Sequence, residues 1–348
     1  MLRASPLAVP LVLLLRTAAV AGCSDWIMDD EYGMSVRTMD LGTGPVFSLK
    51  TQPKGTKPLS GSLPSSKYGH IISVGVNVTG PTFSHMDGDL AWAGLNEAGL
   101  SCDLHVLLNS SYPAPSHTPK DLNLFYLCNW ALSSFASAAE VKTALQKEVV
   151  HLWGPAGAGK TGVHFMLRDR YGLGLAVEFM GGETKLYDDR NDGLTGYGVF
   201  TNEPEFPWQL ANVQHFLWKQ SLARPAVSMP GTWYPDERFL RIYLVKSGMP
   251  TPKSYQEAVQ HALHVLNTIT VPMGMQIGTD SGLGEGHADH THYGHIYDHK
   301  NGVLYWRHES NLQLERVRLA DVLSSQTPLT LPMFNKLPFF NDAAHAFS

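Results

Sequence analysis

Residues 18–40 of the chain read AAVAGCSDWIMDDEYGMSVRTMD, and Cys23 is the residue around which this stretch is organised. Upstream, Arg3 opens a leader in which an apolar run over residues 7–15 is followed by small residues up to Gly22. The apolar run is far shorter than the roughly 20 residues that a membrane-spanning helix needs. This arrangement is typical of a cleavable secretory signal peptide, so we predict a secreted or periplasmic protein whose leader ends at Gly22.

The leader leaves several fates open for Cys23. A cut after Gly22 would make Cys23 the first residue, with a thiol that can attack a carbonyl and a free α-amine that can manage its proton. A cut after Ala21 would leave that amine blocked. Val20-Ala21-Gly22-Cys23 also matches the bacterial lipoprotein pattern, in which the cysteine is acylated on sulfur and nitrogen. The alternative to an enzyme is therefore a lipid-anchored cell-surface binding protein acylated at Cys23.

Composition limits the classes of function. Of the 348 residues, 43% are hydrophobic and the formal net charge is −5, so a sizeable core and a mildly acidic surface are expected. No basic run indicates nucleic acid, and no second apolar stretch indicates a membrane span. We predict a signal peptide over residues 1–22 and one domain over residues 23–348. A homo-oligomer is compatible with the sequence.

Two further cysteines and two acceptor triplets bear on a secreted chain. Cys102 and Cys128 either form a disulfide or stay as two buried thiols, and two cysteines alone do not decide between these states. Asn77-Val78-Thr79 and Asn109-Ser110-Ser111 match the N-glycosylation pattern, which matters only in a eukaryotic source.

Strand and helix patterns occur in blocks along the chain. A turn at Asn96-Glu97-Ala98-Gly99 between two apolar runs predicts a hairpin, and residues 50–67, rich in proline, glycine and serine, predict a long surface loop. Strands at both ends with helices between them predict two sheets covered by helices in one α+β domain. The other predicted strands cover residues 70–78, 163–167, 173–179, 292–298, 303–307 and 312–318, and the predicted helical regions cover residues 122–150, 208–220, 236–246 and 255–268.

Arg37-Thr38-Met39-Asp40 follows Cys23 by fourteen residues. A buried arginine beside a thiol favours the thiolate, because its positive charge stabilises the ionised form. An aspartate beside a protonated α-amine would orient that amine, whose ordinary pKa of about 7.7–8.0 suits proton transfer near neutral pH. Taken alone, the two residues are better explained as an ordinary ion pair at a strand end.

Five segments in the expected order remove that ambiguity, and through them the chain resembles the choloylglycine hydrolase and penicillin V acylase family of N-terminal-nucleophile hydrolases. The segments are Cys23 with Arg37-Thr38-Met39-Asp40; Gly94-Leu95-Asn96-Glu97-Ala98-Gly99-Leu100; Thr201-Asn202-Glu203-Pro204 with Phe206, Trp208-Gln209-Leu210 and Asn212; Arg238-Phe239-Leu240-Arg241; and the strand pair from Tyr297-Asp298 to Tyr305. The resemblance implies the four-layer αββα fold, with two antiparallel sheets between helical layers.

The resemblance also implies a role for each matched residue. Cys23 would supply the nucleophilic thiolate and, through its α-amine, the base. Arg37 would lie beside the sulfur, and Asp40 would hold the α-amine.

The remaining matched residues would bind the oxyanion and complete the polar network. Asn202 would donate a side-chain N–H to the oxyanion, and a backbone N–H near Val106 would be the second donor. Arg238 would complete the network, with Arg241 as the second choice.

The implied reaction is acyl transfer from a linear, non-peptide amide to Cys23, through a thioester that water then hydrolyses. The substrate would be a small acylated amine that carries a fatty, aryl-acetic or bile acid, and the sequence does not choose among these. No metal and no cofactor are required.

Two other motifs have simpler readings. Gly154–Thr161 matches a phosphate-binding loop, but a strand pattern rather than a helix follows at Val163, which favours a surface loop. Histidines 287, 290, 292, 295 and 299, near Glu285 and Asp289, contain ligand types that zinc prefers. We predict solvated loop histidines rather than a metal site, because a glycine-rich segment and a strand alternation run through the cluster.

Overall fold

The strands form two large antiparallel sheets and one small parallel pair in a computed structural model of the chain. The structure describes residues 22–41, 46–57, 63–76, 88–155, 162–188, 197–222, 229–273, 290–334 and 338–339. The strands are β1 (Cys23–Ile27), β2 (Ser35–Leu41), β3 (Val46–Gln52), β4 (His70–Val76), β5 (Ala93–Asn96), β6 (Ser101–Val106), β7 (Asp121–Asn123), β8 (His151–Trp153), β9 (Val163–Arg168), β10 (Gly174–Met180), β11 (Glu183–Asp188), β12 (Val199–Phe200), β13 (His290–Asp298), β14 (Val303–His308), β15 (Asn311–Arg318) and β16 (Thr330–Pro332). The helices are α1 (Leu127–Ser134), α2 (Ala138–Gln146), α3 (Phe206–Leu222), α4 (Pro235–Gly248), α5 (Tyr255–Ile269) and α6 (Leu319–Val322), and a 3-10 helix covers Leu124–Tyr126.

The six-stranded sheet has the order β12-β1-β2-β13-β14-β15, and the eight-stranded sheet has the order β11-β10-β9-β6-β5-β4-β3-β16. β7 and β8 form the parallel pair. Neighbours such as β2 and β13 come from opposite ends of the chain, so the six-stranded sheet joins the N-terminal and C-terminal segments. Residues 1–21 of the predicted leader, the acceptor at Asn77 and most of the phosphate-loop motif lie outside the described residues.

β1 and β2 each present one face to the helices and one to the other sheet. The two strands pair so that Cys23 lies opposite Met39. Side chains alternate between the two faces of a strand. Trp26 and Val36 therefore pack into a cluster with α3, α4 and α5, whereas Cys23 and Met39 join the cluster that includes the eight-stranded sheet.

Helices cover the outer face of each sheet. α4 contacts β1 and β12, and α5 contacts β2 and β13, so these helices lie on the six-stranded sheet. α1 contacts β5 and β6, and α2 contacts β10, on the eight-stranded sheet. Both α2 and α5 begin at a serine whose hydroxyl accepts a hydrogen bond from the amide of a glutamate three residues on, as expected for an N-cap. The layer order confirms the predicted αββα architecture.

The predicted Asn-Glu-Ala-Gly hairpin joins β5 to β6. Asn96 Oδ1 accepts hydrogen bonds from the amides of Ala98 and Leu100, which closes the turn. Gly99 has φ +87°, and a Cβ at this residue would lie 2.3 Å from the carbonyl oxygen of His299. Only glycine fits both requirements, so the turn is held closely against the end of β13.

Cys102 and Cys128 form a disulfide that ties β6 to α1. Asn109 is exposed just beyond β6. The predicted loop over residues 50–67 is wrong at its start, because residues 50–52 pair with β4 as the end of β3 and Pro53 ends the strand. No helix in the described ranges is long and apolar enough to cross a membrane.

Candidate active site

Cys23 lies at the start of β1 with its side chain buried between the sheets. Burial has the largest effect on its thiol and raises the pKa, and the Asp40 carboxylate also raises it. The Arg37 cation, a backbone hydrogen bond from Asp40 and the Arg238 cation lower the pKa. The net direction is upward. Arg37 therefore acts in the expected sense, but desolvation outweighs it, and the thiol needs a base to become a thiolate.

Arg37 spans the space between the two sheets. Its Nη1 donates to Tyr293 Oη at 2.6 Å and its Nη2 donates to the Leu104 carbonyl oxygen at 2.9 Å. Its Nε lies 3.6 Å from Asp103 Oδ1. Burial lowers the pKa of Arg37, but Tyr293, Cys23 and Asp103 raise it by more, so the guanidinium stays charged.

Asp40 lies on the other face of β2, toward α4. Its Oδ1 accepts a hydrogen bond from Thr291 Oγ1 at 2.6 Å, and its Oδ2 accepts one from Thr38 Oγ1 at 3.2 Å. Arg238 Nη1 lies 3.8 Å from Oδ2. Burial raises the pKa of Asp40, and Arg238 and the two hydroxyls oppose that shift.

Arg238 holds the backbone of the first strand from the helix side. Its Nη1 donates to the Cys23 carbonyl oxygen at 2.8 Å and also to Ser24 Oγ, and its Nη2 donates to Asn202 Oδ1 at 2.8 Å. Arg241, one turn further along α4, instead donates to the carbonyl oxygens of residues 230, 232 and 268. The structure therefore brings Arg238, and not Arg241, to Cys23.

Asn202 lies between Cys23, Arg238 and β6. Its Oδ1 accepts a hydrogen bond from the Cys23 backbone nitrogen at 2.6 Å, and its Nδ2 donates to the Val106 carbonyl oxygen at 2.7 Å. The contact with Val106 therefore uses its carbonyl. That the backbone N–H near Val106 donates to the oxyanion stays a prediction.

Four residues of this network escaped the sequence analysis: Ser24, Asp103, Thr291 and Tyr293. Ser24 contacts Arg238 of α4, whereas the other three contact a predicted site residue through a strand pairing or a sheet–sheet contact. A partial signal was present in β13, where hydroxyl and imidazole side chains alternate through a strand that is buried along its whole length. Polar residues in such a strand need buried partners.

The prediction of solvated loop histidines is wrong for the four histidines in and just after β13. His290, His292, His295 and His299 are all buried rather than solvated, and His290 is the first strand residue rather than part of a loop. The physical reason is that β13 lies in the middle of its sheet, between β2 and β14, with layers on both faces. His287 lies outside the described residues.

The phosphate-loop motif is followed by a strand, as predicted. β9 begins at Val163, so no helix follows the motif.

The chain matches known proteins over most of its length. The sequence profile described as "Linear amide C-N hydrolases, choloylglycine hydrolase family" matches residues 23–330. The bile salt hydrolase/transferase of Clostridium perfringens (strain 13 / Type A) is 25% identical over 244 residues, which cover 64% of this chain and 71% of that protein. The conjugated bile acid hydrolase of Lactobacillus acidophilus is 22% identical over 311 residues, which cover 83% of this chain and 92% of that protein.

Solved structures show the same fold. Penicillin V acylase from Agrobacterium tumefaciens superposes with a TM-score of 0.72 at 23% identity, covering 89% of this chain and 91% of that one. A mutant conjugated bile acid hydrolase from Clostridium perfringens gives a TM-score of 0.73 at 20% identity, covering 92% and 99%.

None of these similarities supports a lipid-anchored binding protein. The profile match covers well over half of the chain and includes every segment that brings a side chain to Cys23. The protein is therefore a hydrolase that acts on linear amides, and it belongs to the choloylglycine hydrolase family.

Proposed function

We propose that the protein cleaves the amide of a small acylated amine with Cys23 as an N-terminal nucleophile. One observation carries the proposal: Arg37, Asp40, Asn202 and Arg238, distant in sequence, converge on one buried cysteine at the start of a strand. A structural cysteine needs no such set of charges and donors. A nucleophile needs a base, a fixed backbone and oxyanion donors.

The first half of the reaction starts with a proton transfer from the Cys23 thiol to its own α-amine. The thiolate attacks the amide carbonyl carbon, and the tetrahedral intermediate collapses when the α-ammonium returns its proton to the leaving amine. The products of this half are a free amine and a thioester at Cys23. Water then attacks the thioester with the α-amine as base, which releases the carboxylic acid and restores the thiol.

The polar residues support these steps from both sides of the sheet. Arg37 stabilises the thiolate electrostatically, and Asp40 holds the protonated α-amine. The Asn202 amide carries two N–H groups; one donates to Val106, and the proposal assigns the other to the oxyanion. Removing an oxyanion donor typically costs about 10²–10³ in rate.

This chemistry requires a cut after Gly22, because a peptide bond on the Cys23 nitrogen removes the base. A Cβ at Gly22 would lie 3.0 Å from Arg238 Nη2 and 3.1 Å from Asp40 Oδ2, so the two charged groups already surround this bond. The proposed leader over residues 1–22 would take the protein out of the cytoplasm. The disulfide between Cys102 and Cys128 supports that location, since disulfides persist in oxidising compartments.

The relatives suggest the acyl group. They are named as a bile salt hydrolase/transferase, a conjugated bile acid hydrolase and a penicillin V acylase, so the proposed substrates carry a large apolar acyl group on a small amine. A hydrolysis panel should contain penicillin V, conjugated bile salts, acyl-homoserine lactones and N-acyl amino acids.

The mature protein and its Cys23→Ala variant test the proposal with that panel and with intact mass. We expect an unmodified N-terminal Cys23, hydrolysis of at least one amide, and a transient mass increase that corresponds to one acyl group on Cys23. The variant should show neither hydrolysis nor adduct. Activity with the leader still attached would refute the role of the α-amine, and an N-terminus carrying acyl chains would refute the nucleophile.

A further inference from the structure

A cluster of metal-ligand side chains lies at the start of β13, outside the group around Cys23. His290 and His292 belong to β13, and Glu309 lies in the turn between β14 and β15. One imidazole nitrogen from each histidine and a carboxylate oxygen lie within 4.8 Å of one another. Glu309 Oε2 is in hydrogen-bond contact with His290 Nε2 and lies 3.2 Å from His292 Nδ1.

The backbone presents these three groups to one another. The register of β13 against β2 shifts between Thr291 and Tyr293, so His292 lies at an irregularity of the kind that redirects a side chain. The Glu309 amide donates to the His292 carbonyl oxygen at 2.8 Å, which holds the turn beside the histidines. The two imidazole rings have their centroids 4.4 Å apart.

The cluster offers a cation three ligand atoms in a largely buried setting. Both histidine side chains are at most 5% exposed and Glu309 is 20% exposed. One nitrogen of each imidazole and the Glu309 carboxylate are of the types that divalent transition metals accept as ligands.

We propose that His290, His292 and Glu309 bind a divalent transition-metal ion of the zinc class. Two imidazole nitrogens and one carboxylate oxygen form a three-ligand set that zinc accepts, with a fourth position for water. These three residues are separate from those proposed to cleave the amide, so the proposal stands whether or not Cys23 is the nucleophile.

The position of the site suggests what the ion does. Thr291, between the two histidines, donates to Asp40 Oδ1 at 2.6 Å, and its hydroxyl accepts a hydrogen bond from the Val271 amide at 2.8 Å. An ion on both neighbours of Thr291 fixes the strand segment that holds the Asp40 carboxylate. The role that this position assigns to the ion is to hold Asp40 in place through Thr291.

The test is metal binding by the full mature chain after dialysis against a chelator. Zinc is titrated in competition with a chromophoric chelator, bound metal is counted by elemental analysis after gel filtration, and Co²⁺ replaces zinc for an absorption spectrum. We expect one ion per chain, a Co²⁺ spectrum of low coordination number, and a higher midpoint of thermal unfolding with zinc.

Glu309→Gln is the first variant, because it keeps the shape of the side chain and removes the charge. We expect it and His292→Ala to weaken zinc binding by more than about 100-fold, beyond the 10–100-fold typical of an outer-sphere partner. His264→Ala removes an exposed histidine of α5 and should leave binding unchanged. Equal zinc affinity in wild type and Glu309→Gln, or wild-type binding without one-to-one saturation, would overturn the proposal.

Discussion

Arg37 and Asp40 lie three residues apart on β2 and point to opposite faces of the strand. Arg37 reaches the Leu104 carbonyl oxygen in the other sheet, whereas Asp40 lies 3.8 Å from Arg238 on the helix side. The odd spacing produces this result, since side chains alternate along a strand. Both charges affect the pKa of Cys23 on the neighbouring strand, and they lie on opposite sides of the six-stranded sheet.

The two arginines of α4 offer a matched pair of variants. Arg238→Lys removes the forked contacts with the Cys23 carbonyl and Asn202, because one ammonium does not reproduce the planar guanidinium. We expect kcat/KM on the cleaved amide to fall by about 10²-fold. Arg241→Lys loses bonds to the carbonyl oxygens of residues 230, 232 and 268, away from Cys23, so stability should fall by roughly 1–2 kcal/mol with kcat little changed. Equal losses of kcat in the two variants would contradict the assignment.

Tyr293→Phe tests whether the hydroxyl between the sheets positions Arg37. The Tyr293 hydroxyl accepts from Arg37 Nη1 at 2.6 Å and is hydrogen-bonded to Ser73 Oγ at 2.7 Å. Its loss leaves a buried guanidinium N–H without that acceptor, which costs about 1–3 kcal/mol. We expect a lower kcat and an upward shift of the pKa seen in the pH profile of kcat/KM, since a misplaced Arg37 stabilises the thiolate less. A loss of stability with an unchanged profile would reduce Tyr293 to a packing role.

The sequence predicted the local elements from short patterns, and its resemblance to a known family predicted the residues that meet at Cys23. Alternating apolar runs set the strands, and the hairpin at Gly99 follows from a turn that only glycine allows. The pairing of β2 with β13 is different in kind, since it joins segments about 250 residues apart. Thr291 and Tyr293 reach Asp40 and Arg37 only through that pairing, so no local pattern predicts their contacts.

The burial of the β13 histidines also depends on that pairing. Alternating polar residues usually indicate a strand with one solvated face. Here both faces of a central strand are covered, and partners such as Glu309 and Tyr297 take the place of water. A correct reading of His290 as buried therefore needs the sheet order rather than the sequence around it.

His299 should make the fold sensitive to mild acid. Its ring nitrogens are hydrogen-bonded to Ser35 Oγ and the Gly99 carbonyl oxygen. Burial lowers the pKa of the imidazole from an ordinary 6.5 to about 4. Between these values the unfolded chain binds a proton that the folded chain does not, so stability falls as the pH drops from 6.5 to 4. The shift corresponds to a loss on the order of 3 kcal/mol.

Denaturant unfolding at pH 7, 6, 5 and 4 measures this loss. His299→Gln removes one titrating group, so its stability should depend less steeply on pH than that of the wild type. His264→Gln, at an exposed position, should keep the wild-type slope. Parallel slopes for wild type and His299→Gln would show that other groups cause the acid sensitivity.

The disulfide should stabilise the fold without taking part in the reaction. Cys102 and Cys128 close a loop with a sequence separation of 26 residues, for which chain-entropy arguments give about 3–4 kcal/mol. Cys102 precedes Asp103, the partner of Arg37, but successive residues of β6 point to opposite faces. The disulfide therefore points to α1, and Asp103 points to the six-stranded sheet. We expect the double variant Cys102→Ala with Cys128→Ala to unfold at lower denaturant and to keep its kcat well below the unfolding temperature.

Thiol counting provides the control for that variant. The unfolded, unreduced wild type should show one free thiol, from Cys23, and three after reduction, because Cys102 and Cys128 are paired. The double variant should show one thiol under both conditions. A drop in kcat in a double variant that remains folded would mean that the disulfide positions Asp103 and, through it, Arg37.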